Sequence, residues 1–153
     1  MNHSEELSVS IKKPELMKVR KEIDSLIKRR TKLRIVASGI VLLTPEVIRM
    51  LYENLDEKVY KIIERYMTSI YLEITVWGGV DAINKLKQVC GEHYDPNQCK
   101  PGTIRAKFGC KIPEVFNLRN GRIYKLFLNG IHRTKKQSEL ERDLQIARMF
   151  LSF

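Results

Sequence analysis

The sequence predicts an α+β fold, a four-stranded antiparallel sheet with helices packed on it. Three observations predict it. Segments in which every second residue is apolar alternate with segments in which apolar residues recur every third or fourth position, the periods of a half-buried strand and an amphipathic helix. These segments come in the order strand, helix, strand, helices, strand, helix, strand, helix. The chain has 153 residues, 43% of them hydrophobic, enough for one domain spanning 1–153 with a core of its own.

Leu7, Val9 and Ile11 alternate with Ser8, Ser10 and Lys12, which reads as a strand that Lys13-Pro14 ends, because proline cannot donate to a ladder. From Glu15 to Arg30 the apolar positions Leu16, Val19, Ile23, Leu26 and Ile27 mark an amphipathic helix. Leu33 to Leu43 is long, apolar and β-branched, and is expected as a central strand. Thr44-Pro45-Glu46 is a helix start: a capping hydroxyl, proline at the first position and a carboxylate on the positive dipole end. A short helix through Tyr52 follows, then another from Glu57 to Met67. Ile70 to Trp77 reads as the third strand, with Gly78-Gly79 turning the chain. Val80, Ile83, Leu86, Val89 and Cys90 form the stripe of a helix that Gly91 can cap. Glu92 to Gly102 is expected as a loop and Thr103 to Asn120 as irregular. Arg122 to Leu128 is expected as the fourth strand, and Gln137 to Phe150 as the closing helix. The βαββαβ order within this series is that of a ferredoxin-like sandwich.

Lys and Arg number 28 against 18 Asp and Glu, a formal net charge of +10, which attracts polyanions: nucleic acid, anionic membrane or nucleotide phosphates. Cys90, Cys99 and Cys110 are odd in number and form no C-x-x-C pair, so we expect reduced thiols in a cytoplasmic protein rather than a disulfide frame or a zinc site. The segment Met1 to Glu6 is polar and acidic, without an apolar signal core, and no apolar run approaches the roughly 20 residues of a membrane span.

Chemistry concentrates in three places. Asn129-Gly130-Ile131-His132 carries one of only three histidines, set between an apolar run and a polar segment. An imidazole with an ordinary pKa of about 6.5 is largely neutral near pH 7 and offers a ring nitrogen as nucleophile or base. A lone histidine is more often a surface or core residue, so His132 gains its weight from its company. In Lys100-Pro101-Gly102-Thr103-Ile104-Arg105 a rigid turn carries a guanidinium, whose planar donors suit phosphate. Lys13 ends the first strand, where an ammonium can reach into a cleft. Taken singly, each of these two is better read as a solvent-facing cation.

Together the segments resemble the nucleoside diphosphate kinase family, in the same order over most of the chain. Lys13-Pro14-Glu15 is similar to its Lys-Pro-Asp segment, Leu51-Tyr52 to its His-Tyr pair, and Tyr66-Met67 to its Tyr-Met. Val76-Trp77-Gly78-Gly79-Val80-Asp81-Ala82 is similar to its Val-Trp-Glu-Gly-x-Asn-Ala turn. Pro101-Gly102-Thr103-Ile104-Arg105 is identical to one signature, and Asn129-Gly130-Ile131-His132 fits another, whose histidine is phosphorylated. The resemblance implies a ping-pong transfer in which His132 takes the γ-phosphoryl of a nucleoside triphosphate and passes it to a diphosphate. Lys13 and Asn129 would hold the sugar hydroxyl and the phosphate end, Arg105 would neutralise the transferred group, and Tyr52 would orient His132. Tyr60 falls where the family stacks an aromatic ring on the base. Mg²⁺ would bridge the phosphates, and a homo-oligomer, hexamer or tetramer, is implied.

The departures are specific. Lys87 stands where the family usually has an arginine on its nucleotide-binding helix. Glu92-His93-Tyr94-Asp95 lacks the threonine expected after the glycine, and Ala106-Lys107 replaces the usual Gly-Asp. Arg133 replaces the glycine after the histidine, Thr134 the following serine, and Asp143 the glutamate that orients the imidazole. The stretch between Arg105 and His132 is longer than in common bacterial and animal forms, as in some archaeal and spirochaete ones, so the correspondence stops at Phe108 and resumes at Arg122. Two other readings follow from these facts. One is a weak relative that binds nucleotide in a regulatory or structural role. The other is a basic domain that binds nucleic acid, for which the run Lys28-Arg29-Arg30 is the best support.

Overall fold

Strand β1 (Glu5–Lys12) lies inside a four-stranded antiparallel sheet whose order is β2-β3-β1-β6, with β2 at Arg34–Val41, β3 at Leu72–Val80 and β6 at Ile131–Arg133. The computed structural model describes residues 5–153; Met1–Ser4, part of the polar N-terminal segment, lie outside them. Between β1 and β2 come a 3₁₀ turn (Pro14–Val19) and helix α1 (Arg20–Thr31). Helices α2 (Pro45–Leu51) and α3 (Glu57–Met67) precede β3, and α4 (Ala82–Cys90) and α5 (Ile104–Phe108) follow it. Strands β4 (Glu114–Asn117) and β5 (Ile123–Leu126) form a separate hairpin before β6, and α6 (Gln137–Phe150) closes the chain. This is the ferredoxin-like α+β fold that the element order predicts.

Alternation along the central strands builds two cores. Val9, Ile11, Ile74 and Val76 pack with residues of α2, α3 and α6 on one face. Trp77 and Ile131 pack with α1, α4 and Ile104 on the other, where the Trp77 indole N–H donates to Ser10 Oγ at 2.9 Å. Thr44 caps α2 as expected, its hydroxyl accepting from the Val47 N–H, and Gly91 ends α4 at φ +116°.

Four expectations change. The fourth strand of the sheet is β6, which carries His132, and not Arg122–Leu128, whose apolar stretch pairs with β4 instead. Three residues are too few to display a period, whereas the longer neighbouring run displays one. The strand expected over 33–43 is β2, an edge strand rather than a central one; Val36 and Ile40 on its outward side, and Leu42 just past it, are apolar and exposed, so the sequence reads as buried on both faces. Gly78 and Gly79 continue β3, and the turn falls at Asp81, in the left-handed region at φ 53°. Within 103–120, α5 begins at Thr103, whose hydroxyl accepts from the Ala106 N–H, and β4 is the outer arm of the hairpin. Among the described residues no helix is long and apolar enough to cross a membrane.

Candidate active site

The site is built on the sheet edge at β6. The chain enters β6 through Gly130, at φ +91°, where a side chain would be strained and a Cβ would stand 2.9 Å from Leu16. The turn is pinned from both sides: the Lys13 N–H donates to the Gly130 carbonyl (2.8 Å), and the Gly130 N–H donates to Glu15 Oε2 (2.6 Å). His132 pairs with Ile11 across the ladder, so it faces α2 and α6. There the Tyr52 ring meets it edge-on, with centroids 6.1 Å apart. Asp143, on α6, places Oδ2 3.7 Å from His132 Nε2, ion-pair range but too long for a hydrogen bond, and both atoms are buried without a hydrogen-bond partner. Burial pushes the imidazole below its ordinary value against the pull of Asp143, and Lys13 and Arg133 push the same way as burial. Burial opposes ionisation of Asp143, but its contacts with His132, Arg142 and Thr134 prevail and hold the carboxyl below its usual range.

Three buried cations surround this ring. Lys13 Nζ donates to Asn129 Oδ1 (2.8 Å), and Asn129 Nδ2 donates to the Tyr94 carbonyl (3.0 Å). Burial drives the Lys13 ammonium down to about 7, with Arg105 and Arg133 adding to the shift and Glu15 opposing it. Arg105 reaches β6 from α5: its Nη2 donates to the Ile131 carbonyl (2.7 Å) and its Nη1 to the His93 carbonyl (3.0 Å). Arg133, beside His132 on the edge strand, donates from Nη2 to the Gly91 carbonyl (3.0 Å). None of the three is within ion-pair distance of a carboxylate among the described residues.

The cleft at His132, about 410 Å³, adjoins a cavity of about 260 Å³ beside Lys13 and Asn129, with Tyr52 and Tyr94 lining both. That cavity in turn adjoins a third of about 540 Å³ between α3 and the β4–β5 hairpin, with Tyr66 and Leu126 lining both of those. The three hollows lie in series, from the imidazole with Arg105 and Arg133 to a mixed apolar and basic hollow lined by Phe116, Leu128, Lys61 and Arg65. An unprotonated ring nitrogen beside cations that lack ion-pair partners can attack an electrophile bearing several negative charges.

Of the residues marked in the sequence, His132, Lys13, Tyr52, Asn129, Arg105 and Asp143 meet here. Two do not. Tyr60 lies on the core stripe of α3 with Val59, Ile63 and Met67; its hydroxyl donates to the Tyr52 carbonyl, and the Arg49 guanidinium sits 4.4 Å from its ring centroid. No face of that ring is open to a base. Lys87 is half-buried on α4 and does not line the cleft. Arg133, Glu15 and Tyr94 are members that pattern reasoning did not assign. For Arg133 the signal was present, a long cation where a glycine was expected. The run Lys28-Arg29-Arg30 ends α1, and Arg30 donates to the Gly102 carbonyl, bracing the turn before Arg105.

A family model described as nucleoside diphosphate kinase matches residues 6–150. The chain belongs to the nucleoside diphosphate kinase family. A nucleoside diphosphate kinase from Natronomonas pharaonis is 33% identical over 81 residues, a stretch covering 52% of this chain and 52% of that protein, so the chain spans about half the length of that relative. Among solved structures, a nucleoside diphosphate kinase family protein from Babesia bovis shares the fold with a TM-score of 0.75 at 19% identity, covering 97% of this chain and 93% of that one. A halophilic nucleoside diphosphate kinase from Halobacterium salinarum in complex with CDP shares it with a TM-score of 0.73 at 23% identity, covering 94% and 87%.

Proposed function

We propose that this family member, as one unit spanning residues 1–153, moves the γ-phosphoryl group of a nucleoside triphosphate to a nucleoside diphosphate in two half-reactions through a phosphohistidine. The carrying observation is the shielded imidazole of His132 beside Lys13, Arg105 and Arg133, cations that make no ion pair among the described residues. In the first half-reaction Nδ1 of His132 attacks the γ-phosphorus. The bond to the β–γ bridging oxygen breaks, and the diphosphate leaves with the electron pair. In the second, the terminal oxygen of another diphosphate attacks the phosphorus and the nitrogen–phosphorus bond breaks.

Asp143 faces Nε2 and stabilises positive charge on the ring, which directs the reaction to Nδ1. Tyr52 fixes the ring plane from its edge. Lys13, held by Asn129, and Arg105, held by the carbonyls of Ile131 and His93, carry the phosphates. Lys87 adds charge from α4 without direct contact. The base occupies the cavity between α3 and the hairpin, against Phe116 in place of Tyr60; the CDP-bound Halobacterium relative supports a nucleotide in this fold. The nucleotide would be taken as its Mg²⁺ complex, the ion arriving with the substrate and offsetting phosphate charge during transfer.

Incubation with γ-labelled ATP is expected to leave acid-labile, base-stable label, which His132→Ala abolishes. Tight nucleotide binding without label would instead establish the second reading, a nucleotide-binding relative without turnover, which the 3.7 Å gap between His132 and Asp143 favours. We also propose a cytosolic homo-oligomer, hexamer or tetramer. The free thiols of Cys90, Cys99 and Cys110 support the compartment, and the exposed apolar side chains of Val36, Ile40 and Leu42 at the sheet edge support assembly. Light scattering that returns a monomer mass at micromolar concentration would sink the assembly.

A further inference from the structure

We infer that Arg133 is a ligand of the substrate's phosphate chain, supplying from the edge strand the planar cation that α4 lacks where Lys87 stands. The inference rests on the reading just proposed and extends it to a residue that the family resemblance does not supply, since its pattern has glycine there.

Burial is the first argument. Arg133 is 5% exposed, yet its Nε has no hydrogen-bond partner, and its one hydrogen bond runs from Nη2 to the Gly91 carbonyl. A guanidinium presents five donors, and withholding even one of them, here Nε, from water without a partner is costly. Arg105 differs: its Nε, both donors of Nη1 and one of Nη2 are on carbonyls of Ile131, Gly91 and His93, which leaves a single Nη2 N–H for the phosphates. Of the two guanidinium groups, Arg133 is the one with more donors to give.

Charge is the second argument. Both arginines reach for the same Gly91 carbonyl, Arg105 at 3.4 Å and Arg133 at 3.0 Å, which brings two like charges together. The carboxylate that acts on Arg133 is that of Glu139, which is in ion-pair range of Arg142 at 3.7 Å. Burial, then Arg105, lower the Arg133 guanidinium to about 10. A side chain present only to hold one carbonyl would not be paired with another buried cation. A polyanion bound in the cleft would relieve the burial and the repulsion together.

Position is the third argument. Alternation sends His132 and Arg133 to opposite faces of the sheet, but β6 is the edge, so both wrap into the same cleft and line it with Arg105. Phosphate on the imidazole would be gripped from the α2–α6 side by His132 itself and from the α4 side by Arg133.

The experiment measures Mg·ADP affinity, melting temperature and phosphoenzyme formation for the full chain, Arg133→Met, Arg133→Lys and Arg133→Met combined with Lys87→Arg. Arg133→Met is expected to weaken Mg·ADP by about ten- to hundredfold, the range for a charged hydrogen bond, to melt no lower than the parent, and still to take label from saturating ATP. Arg133→Lys should fall between, keeping charge but not the fork. Lys87→Arg should restore part of the loss. An Arg133→Met protein that melts like the parent and binds Mg·ADP within about twofold overturns the inference while the phosphotransfer reading stands. Should the variant fold poorly, a crystal structure of the unaltered chain with Mg·ADP decides: a guanidinium still confined to the Gly91 carbonyl, with no phosphate oxygen in hydrogen-bond range, overturns it. A parent chain that neither binds Mg·ADP nor takes label removes both readings.

Discussion

Lys12 and Lys13 are sequence neighbours, both buried, and their surroundings are opposite. Lys12 Nζ lies 2.7 Å from Asp24 Oδ1 and 2.5 Å from Glu73 Oε1, on the α1 side of the sheet, where Arg20 also approaches Glu73. Lys13 turns the other way, toward the edge strand, and finds a neutral amide oxygen at 2.8 Å, two more cations, and in Glu15 a carboxylate that acts on it without an ion pair. A buried cation with two carboxylates is complete in itself. A buried cation held by an amide and repelled by arginines is complete only with an anion. The contrast separates a lysine that holds the sheet to α1 from one held ready for a ligand, a distinction that neither burial nor sequence position draws.

The contrast breaks most forcefully at Lys12. Lys12→Met strands Asp24 and Glu73 without their cation, which for a broken buried pair costs about 3–5 kcal/mol, or roughly 6–20 °C in melting temperature for a chain of this size. Activity per folded molecule should hold. Lys13→Met reverses the pattern: melting should stay level or rise, because a buried repulsion is removed, while kcat/KM falls by about 10²–10³-fold, the loss typical of one preorganised donor. Thermal melts and steady-state kinetics on the two variants, side by side, test the division. Equal melting losses would mean that Lys13 is a structural residue like its neighbour.

How much of this was legible follows from the same residues. The alternation of Leu7, Val9 and Ile11 and the helical spacing of Val59, Ile63 and Met67 are imposed by burial, so the sequence displays them and the elements stand where it puts them. Local chemistry was legible as well: Thr44 and Gly91 act as the cap residues they resemble. Position within the sheet was not. The edge strand β2 carries apolar residues on its open side, and β6 is three residues long, so neither has a pattern that says which strand it joins. In the site, residue type was legible and direction was not. Tyr60 is the right kind of residue for a base platform but points into the core, and Arg133 reads as a departure until the edge strand brings it beside His132. Lys12 and Lys13 are indistinguishable as letters; the end of β1 at Lys12 and the turn at Pro14 separate their directions.

The finest test of the comparison is proton traffic. In the free protein Lys13 titrates near 7 rather than at its ordinary 10.5, because burial and the neighbouring arginines disfavour its charge. Between those values the free site is short of a proton, and a bound diphosphate, which favours the charged ammonium, should draw one in. Binding of Mg·ADP at pH 8–9 is therefore expected to take up as much as about one proton, falling toward none from this residue below pH 6, where Lys13 is already charged. His132 does not mask the effect, since burial keeps the ring below its ordinary 6.5 and neutral throughout the upper window. Calorimetry in two buffers of different ionisation enthalpy measures the uptake. Lys13→Met should erase it, and Lys12→Met, whose lysine already has its carboxylates, should leave it intact. Uptake that survives Lys13→Met would assign the proton to another group and undo the claim that the two lysines differ in what they still lack.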